Sequence, residues 1–396
     1  MAVQQSIPMM PVEDALRLVG EGPVSTRPYH DPEWWELERR AIFMRSWLMI
    51  GHVCEIPEPG SFIRREVEFA QASLLIVRGK DGAVRTFHNV CTHRGTRLVD
   101  DAAGRRSQFS CRYHRWTYAP DGALLSAPDF ERFHAAKADC ALKQVRTEVV
   151  AGLIFINFDP EPEQTARGFL GPIADEMETL PCARATHFTE WTYEIDANWK
   201  THFDNFQENY HLRFIHPRTG QSAVGADNPY GYPTHYGFLG PHRSQRLWRN
   251  PEPPAPSPGM LMAYGVSARS APEPAFPKVD FKLFPALHVV ALPPAQQFTH
   301  VHWPLGPGRT RSVVRMYWTG EASDASAAFF REFAAMSIRD VLSEDRDAVE
   351  ACQQGLSGGV LDHIYFQDHE ILLRHQYETV QAIVAAYQRE TQAAPA

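Results

Sequence analysis

Four residues with metal-binding chemistry stand in two short motifs, Cys91-Thr92-His93 and Cys111-Arg112-Tyr113-His114. Each motif offers one thiolate sulfur and one imidazole nitrogen from a single loop. A [2Fe-2S] centre in which two histidines replace two cysteines on one iron uses this donor set, and the exchange raises its potential above that of an all-cysteine cluster. The rival is a structural Cys2His2 zinc site. Its ligands usually keep thiols together and imidazoles together, as C-x2-4-C and H-x3-5-H, whereas here they alternate.

A second group lies in the run Asp204-Asn205-Phe206-Gln207-Glu208-Asn209-Tyr210-His211-Leu212-Arg213-Phe214-Ile215-His216-Pro217. In the helix expected from Asn198 onward, Glu208 and His211 share a face. His211 and His216 are five apart, about 140° around an ideal helix, so they meet at one metal only if the helix distorts or ends between them. Pro217 supplies a reason, because the residue before a proline is pushed out of the α region. Two such histidines and a distant carboxylate would make a facial triad for Fe(II) with positions open to dioxygen. Taken alone, the pair reads more readily as two unrelated histidines.

The elements that must hold these residues follow from the alternation of apolar side chains. Ala72–Arg78 and Ala83–Val90 are β-rich runs joined by Gly79-Lys80-Asp81-Gly82, so a hairpin delivers Cys91 at its end. Trp116-Thr117-Tyr118 and the turn Asp121-Gly122 continue the pattern downstream, which puts the ligands on loops at strand ends, with the imidazole edges of His93 and His114 as exits for electrons. Residues 1–25 read as loosely ordered. A helical pattern runs from Glu33 to Trp47. Gly152–Phe158 reads as a closing strand, and Asp159-Pro160-Glu161-Pro162 breaks the pattern, marking a domain boundary there. Phe188–Ile195, Phe281–Phe284, Phe298–Trp303 and Ser312–Trp318 are the strands expected of a second domain. His288, His300 and His302 fall on or beside them, and 300 and 302 share a face, read as one polar or half-buried side outside the site. Arg243, Arg246 and Arg249 read as a solvated face. Tyr230, Tyr232, Tyr236 and Phe238 read as packing residues. Pro251–Pro258 is a candidate lid over an active-site mouth.

Composition bounds the rest. The 396 residues exceed one ordinary core, so two domains are expected. At 44% hydrophobic and 22% charged, with no long apolar run and no leader pattern at the start, the chain reads as globular and cytoplasmic, without a membrane partner. A net charge of −8 argues against nucleic acid. Six scattered cysteines make no disulfide framework, and the four outside the motifs read as small buried hydrophobes.

Taken together, Asn198-Trp199-Lys200, Glu208-Asn209-Tyr210-His211-x4-His216 and the two Cys/His motifs resemble the α subunits of Rieske-type non-haem iron oxygenases. The resemblance runs from about Trp47 to the C-terminal helix. It implies an α+β chain: an all-β Rieske [2Fe-2S] domain over 45–158, a catalytic domain over 159–396 with an antiparallel sheet gripping a helix, and a segment 1–44 packing on the latter. Cys91, His93, Cys111 and His114 match the cluster ligands, and His211 and His216 match the iron histidines. The third iron ligand is expected at Asp345, followed by Glu350 and Gln353 in the family manner, with Glu344 the runner-up. Glu208 matches the acidic residue that bridges to the cluster of a neighbouring subunit, and Asn205 stands in the same motif as a catalytic candidate. Two features depart from the family pattern: Glu208 where Asp is often found, and Arg112 and Arg115 within the commoner Cys-Pro-Tyr-His-Gly-Trp.

The resemblance further implies a terminal oxygenase that uses O2 and electrons from a separate NAD(P)H-dependent reductase, directly or through a ferredoxin, in a homotrimer or a multiple of it. The chain carries no G-x-G-x-x-G fingerprint of its own. An aromatic ring or aromatic acid is the leading substrate class. A quaternary ammonium, N-methyl or O-methyl compound is the alternative, and a Rieske electron carrier without oxygenase activity comes third.

Overall fold

A computed structural model describes residues 6–248, 250–255, 258–263, 278–292 and 296–393. The chain forms two compact units, one of residues 44–171 and one in which 1–43 join 172–396. The break expected after Phe158 is not where they part. Ala166 N–H donates to Glu148 (2.8 Å) and the Trp47 indole to the Gln164 carbonyl (2.9 Å), which keeps the chain with the smaller unit as far as Gly171.

The smaller unit is all-β apart from short helical turns. A seven-stranded antiparallel sheet runs in the order Leu48–His52, Leu153–Asn157, Gln144–Val150, Val84–His88, Ala72–Arg78, Ser61–Val67, Ala103–Arg105. The hairpin expected before Cys91 is formed by Ala72–Arg78 and Val84–His88. A three-stranded sheet, Leu124–Ser126, Thr117–Tyr118 and Phe109–Ser110, carries the second Cys/His loop. Phe62, Leu75, Phe87, Phe109, Trp116 and Tyr118 pack into one core that also takes in Cys91 and Cys111. Both ligand loops are therefore anchored by their sulfur ends.

The larger unit is built on an eight-stranded antiparallel sheet, ordered Met9–Met10, His235–Leu239, His242–Arg246, Val279–Leu283, Leu287–Leu292, Gln296–Gly306, Arg309–Trp318, His187–Ile195. It grips the helix Trp199–Asp204, every residue of which is buried. Asn198 caps that helix by accepting the Lys200 N–H (3.0 Å). Trp199 and Lys200 then both reach the buried Glu38: the indole donates at 2.9 Å and the ammonium at 2.8 Å, while Trp34 donates a third bond at 2.9 Å. A buried carboxylate is tolerated only when paired and hydrogen-bonded, and Asn198-Trp199-Lys200 supplies both conditions. Burial works to lower the Lys200 ammonium pKa, against the pull of Glu38.

Two long helices, Ala325–Ser357 and Ile371–Ala393, complete the unit. The first lays Phe330, Ala334, Ala335 and Leu342 on Val290, Val314, Met316 and Trp318 of the sheet. Among the described residues no helix is long and apolar enough to cross a membrane.

Several sequence expectations change here. The N-terminal region contains a helix, Val12–Val19, whose apolar side packs with Tyr236, Ile371 and Leu372, so contacts far along the chain order what looked loose. Arg243 is fully buried rather than solvated, donating to Gln207 and Gln376 at 2.7 Å each. Of the four cysteines outside the motifs, only Cys182 is buried, and Cys352 is exposed. The region after His216 holds the hairpin His235–Leu239 and His242–Arg246. Arg249 and Ser257 lie outside the described residues, as does part of the expected lid.

Candidate metal centres

The two Cys/His loops repeat one backbone design. Cys91 N–H donates to the Thr96 carbonyl (2.8 Å) and its own carbonyl accepts from Gly95 N–H (3.0 Å). Cys111 does the same with Trp116 (2.8 Å) and Arg115 (3.0 Å). The residue four past each cysteine lies in the left-handed region, Gly95 at φ 74° and Arg115 at φ 59°. Glycine adopts this conformation freely and arginine does not, so Arg115 stands in a glycine position.

The sulfurs are buried and the imidazoles lie nearer the surface. The His93 and His114 rings are 4.7 Å apart between centroids, and His93 stacks on Trp116 at 4.8 Å. Tyr118 Oη lies 3.3 Å from Cys91 Sγ and 3.1 Å from the Thr92 N–H. Burial pushes the Cys91 thiol pKa up, with the Tyr118 hydroxyl pulling it down. Two buried sulfurs and two outlying imidazoles form a divided donor set, where a single tetrahedral zinc draws its four donors to one point. A two-iron cluster, which divides its ligands into pairs, fits them.

In the larger unit, His211, His216 and Asp345 do converge, with one ligand atom from each within 4.8 Å of the others. The helix expected to run on from Asn198 is in fact two pieces, Trp199–Asp204 and Leu212–Ile215. His211 stands at the N-terminal end of the second piece and His216 at its C-terminal end, where φ −110° and ψ 55° leave the helical region ahead of Pro217. Ending the helix there is what lets two histidines five apart face one ion. Glu208 is therefore not on a helix face. It lies in the connecting loop, where its carboxylate accepts the backbone N–H groups of Tyr210 and His211 and contacts His211 Nδ1.

Asp345 comes from the middle of the long helix. That helix is clamped to the cap of the histidine segment by Gln353, which accepts from Asn198 N–H (2.9 Å) and Thr201 Oγ1 (2.8 Å). Glu350 accepts the Asp196 N–H at 3.2 Å. Asp345 Oδ1 stands 2.9 Å from His216 Nε2 and 3.6 Å from His211 Nε2. It is buried without a hydrogen-bond partner, so the contact with His216 is close but does not have hydrogen-bond geometry. A buried carboxylate oxygen facing two Nε2 atoms is the arrangement a cation completes.

Glu344 takes a different part. Its Oε2 is 2.9 Å from His216 Nδ1, and it accepts from Thr219 Oγ1 and from Arg218 at 3.2 Å. Burial works to raise the Glu344 carboxyl, but these donors outweigh it and hold it below its ordinary value. Each of the two converging histidines thus has its far nitrogen on a glutamate, His211 on Glu208 and His216 on Glu344. Such outer carboxylates fix which nitrogen is left for the metal. Sequence reasoning saw Glu344 only as a rival ligand, although its place beside Asp345 on a helix already turned it to a different direction. Asn205 follows the first helix, and its amide nitrogen is buried without a hydrogen-bond partner.

Two family models match the chain. Residues 46–146 match the Rieske [2Fe-2S] domain, and residues 182–386 match the ring hydroxylating alpha subunit (catalytic domain). The glycine betaine monooxygenase oxygenase subunit of Chromohalobacter salexigens is 32% identical over 235 residues, covering 57% of this chain and 50% of the relative. The 2-aminobenzenesulfonate 2,3-dioxygenase subunit alpha of Alcaligenes sp is 34% identical over 204 residues, 50% of this chain and 51% of the relative. The carnitine monooxygenase oxygenase subunit of Escherichia coli K12 is 33% identical over 202 residues, 50% and 54%. The chain spans about half the length of these curated relatives.

Two solved structures share the fold. The quaternary ammonium Rieske monooxygenase CntA in complex with L-carnitine superposes with a TM-score of 0.73 at 23% identity, covering 95% of this chain and 99% of the other. Naphthalene 1,2-dioxygenase from Rhodococcus sp. bound to indole gives 0.72 at 22%, covering 95% and 98%. A Rieske domain followed by a catalytic domain with a candidate His-His-Asp iron site is the plan of one family, and the chain belongs to it: it is an α subunit of the Rieske non-haem iron, ring-hydroxylating oxygenases.

Proposed function

We propose that this chain is the terminal oxygenase component of a system that oxidises a quaternary ammonium or N-methyl compound, with electrons from a separate NAD(P)H-dependent reductase, directly or through a ferredoxin. The observation that carries the oxygenase reading is the convergence of His211, His216 and Asp345 on one point. Ferrous iron held by His211, His216 and Asp345 would have positions left for dioxygen, and a [2Fe-2S] centre on Cys91, His93, Cys111 and His114 would supply electrons one at a time. The protein's own part is orientation: Glu208 and Glu344 hold the Nδ1 sides of the two histidines, so that both Nε2 atoms face Asp345. The buried Asn205 amide nitrogen is a donor open to a bound molecule.

The choice of substrate class rests on the glycine betaine and carnitine enzymes among the relatives, so the aromatic class expected from sequence alone moves to second place. It keeps that place because the 2-aminobenzenesulfonate enzyme matches half of the chain at 34% identity. We also take the functional assembly to be a trimer in which Glu208 links His211 to His114 of a neighbour.

Oxygen uptake with a surrogate reductase, measured against a panel of quaternary ammonium compounds and aromatic acids, tests the reading. Uptake stimulated by the former and not the latter is expected. Stimulation by aromatic acids alone would reverse the order of the two classes. Loss of mononuclear iron in His211→Ala with the Rieske spectrum intact is expected on either substrate, and its failure would remove the oxygenase reading itself.

A further inference from the structure

The larger unit holds a second group of convergent imidazoles that shares no residue with the first. His202 comes from the helix Trp199–Asp204, and His300 and His302 alternate on the strand Gln296–Gly306. One ring nitrogen from each lies within 4.8 Å of the others. None is more than 1% exposed, which overturns the half-buried sheet side expected for His300 and His302.

The hydrogen bonds around the cluster are incomplete. Outward, His202 Nε2 meets Tyr193 Oη at 3.2 Å and His300 Nε2 meets Ser312 Oγ at 2.5 Å. Inward, His202 Nδ1 and His302 Nδ1 face each other at 3.1 Å, and His300 Nδ1 is buried with no hydrogen-bond partner. His302 Nε2 is a further buried nitrogen without one. An unsatisfied buried polar group costs about 1–3 kcal/mol, and two on adjacent rings are unusual in a core. Burial also pushes the His202 pKa down to about 3 and those of His300 and His302 well below the ordinary value, so all three rings are neutral and keep a lone pair. Metal binding needs imidazole in that form.

We propose that His202, His300 and His302 form a second metal site, distinct in every ligand from the His211–His216–Asp345 group, for a divalent transition ion of the zinc class. Imidazole donors suit zinc, copper, nickel and iron, whereas calcium and magnesium take oxygen ligands. Nitrogens bound about 2.0–2.1 Å from one tetrahedral ion stand roughly 3.3 Å apart, close to the spacing of the facing Nδ1 pair. Tyr193 and Ser312 hold the far nitrogens of two of the rings, as outer hydrogen-bond partners of metal-bound histidines do. An ion here ties the helix that leads to the iron histidines onto the sheet.

The test is metal counting on the full-length chain with its cluster in place. To keep the mononuclear site from taking the probe, the titration uses the His216→Ala background, with Zn2+ as the ion. One equivalent of tightly bound Zn2+ is expected, raising the melting temperature. Adding His302→Gln should remove that equivalent, and adding Ser312→Ala instead should weaken it about 10–100-fold, as losing an outer partner typically does. Ser312→Ala keeps all three ligands, so it covers the case in which His302→Gln does not fold. No bound equivalent in the His216→Ala protein would overturn the site, as would an equivalent that persists at full affinity in both added variants. Neither result depends on turnover, so the oxygenase reading stands or falls separately.

Discussion

Removing the Glu344 carboxylate should weaken iron binding without abolishing it, and the size of the loss separates an outer partner from a ligand. In Glu344→Ala, His216 Nδ1 loses an acceptor at 2.9 Å, and Thr219 and Arg218 lose theirs. His216 Nε2, His211 Nε2 and Asp345 keep their places, so the donor set survives with one imidazole less firmly oriented. Loss of such an outer partner typically costs about 10–100-fold in metal affinity, or about 1.4–2.8 kcal/mol. Glu344→Gln should fall nearer the wild type, because an amide oxygen still accepts the Nδ1–H while the charge is gone. Asp345→Ala removes a donor atom and should leave no measurable mononuclear iron. The assay is Fe(II) affinity by chelator competition, with the rhombic Rieske signal as an internal check on the smaller unit. The reasoning fails if Glu344→Ala strips iron as completely as Asp345→Ala, since Glu344 would then be the ligand. It fails equally if Glu344→Ala leaves affinity unchanged.

Other consequences follow from the same coordinates. Arg115→Gly should stabilise the cluster loop by about 0.5–1 kcal/mol, because a left-handed residue with a Cβ costs about 1–2 kcal/mol and glycine returns part of that gain as backbone entropy. The mirror change, Gly95→Ala, meets no atom within 4 Å and should cost about 1 kcal/mol from strain alone; urea midpoints that move the other way in either variant would refute the repeat. Tyr118→Phe removes the hydroxyl 3.3 Å from Cys91 Sγ and should lower the Rieske potential by about 40 mV, the equivalent of about 1 kcal/mol for one electron. A potential within a few millivolts of wild type, read by spectroelectrochemistry, would mean that the bond does not favour the reduced cluster. Glu208→Gln should keep both metal centres yet slow electron arrival at the mononuclear iron in single-turnover experiments, and wild-type rates there would remove the proposed link.

The candidate ligands were legible in the sequence because metal chemistry is written in residue types at short spacing. Cys91, His93, Cys111 and His114 need only two loops, and the strand alternation that predicts those loops is a local property. The His211–His216 pair was half legible: the helical period showed that the two could not meet on a regular helix, and Pro217 pointed to where it ends. What sequence could not supply was the loop at Glu208. Its carboxylate there takes the N–H groups of Tyr210 and His211, a competition between side chain and helix that propensity does not decide.

Long-range contact decided the rest. Asp345 and Glu344 are adjacent and both acidic, so only the direction each takes from the long helix, clamped by Gln353 to Asn198, separates the residue that faces both Nε2 atoms from the one that holds Nδ1 of His216. Arg243 looks like a surface arginine until Gln207 and Gln376, one from each side of it in the chain, close over it. His300 and His302 share a strand face by the pleat alone, but whether that face meets water or a third histidine depends on a helix about a hundred residues earlier. Spacing along a chain fixes which side chains can share a face, and burial of that face is set by whatever the fold packs against it.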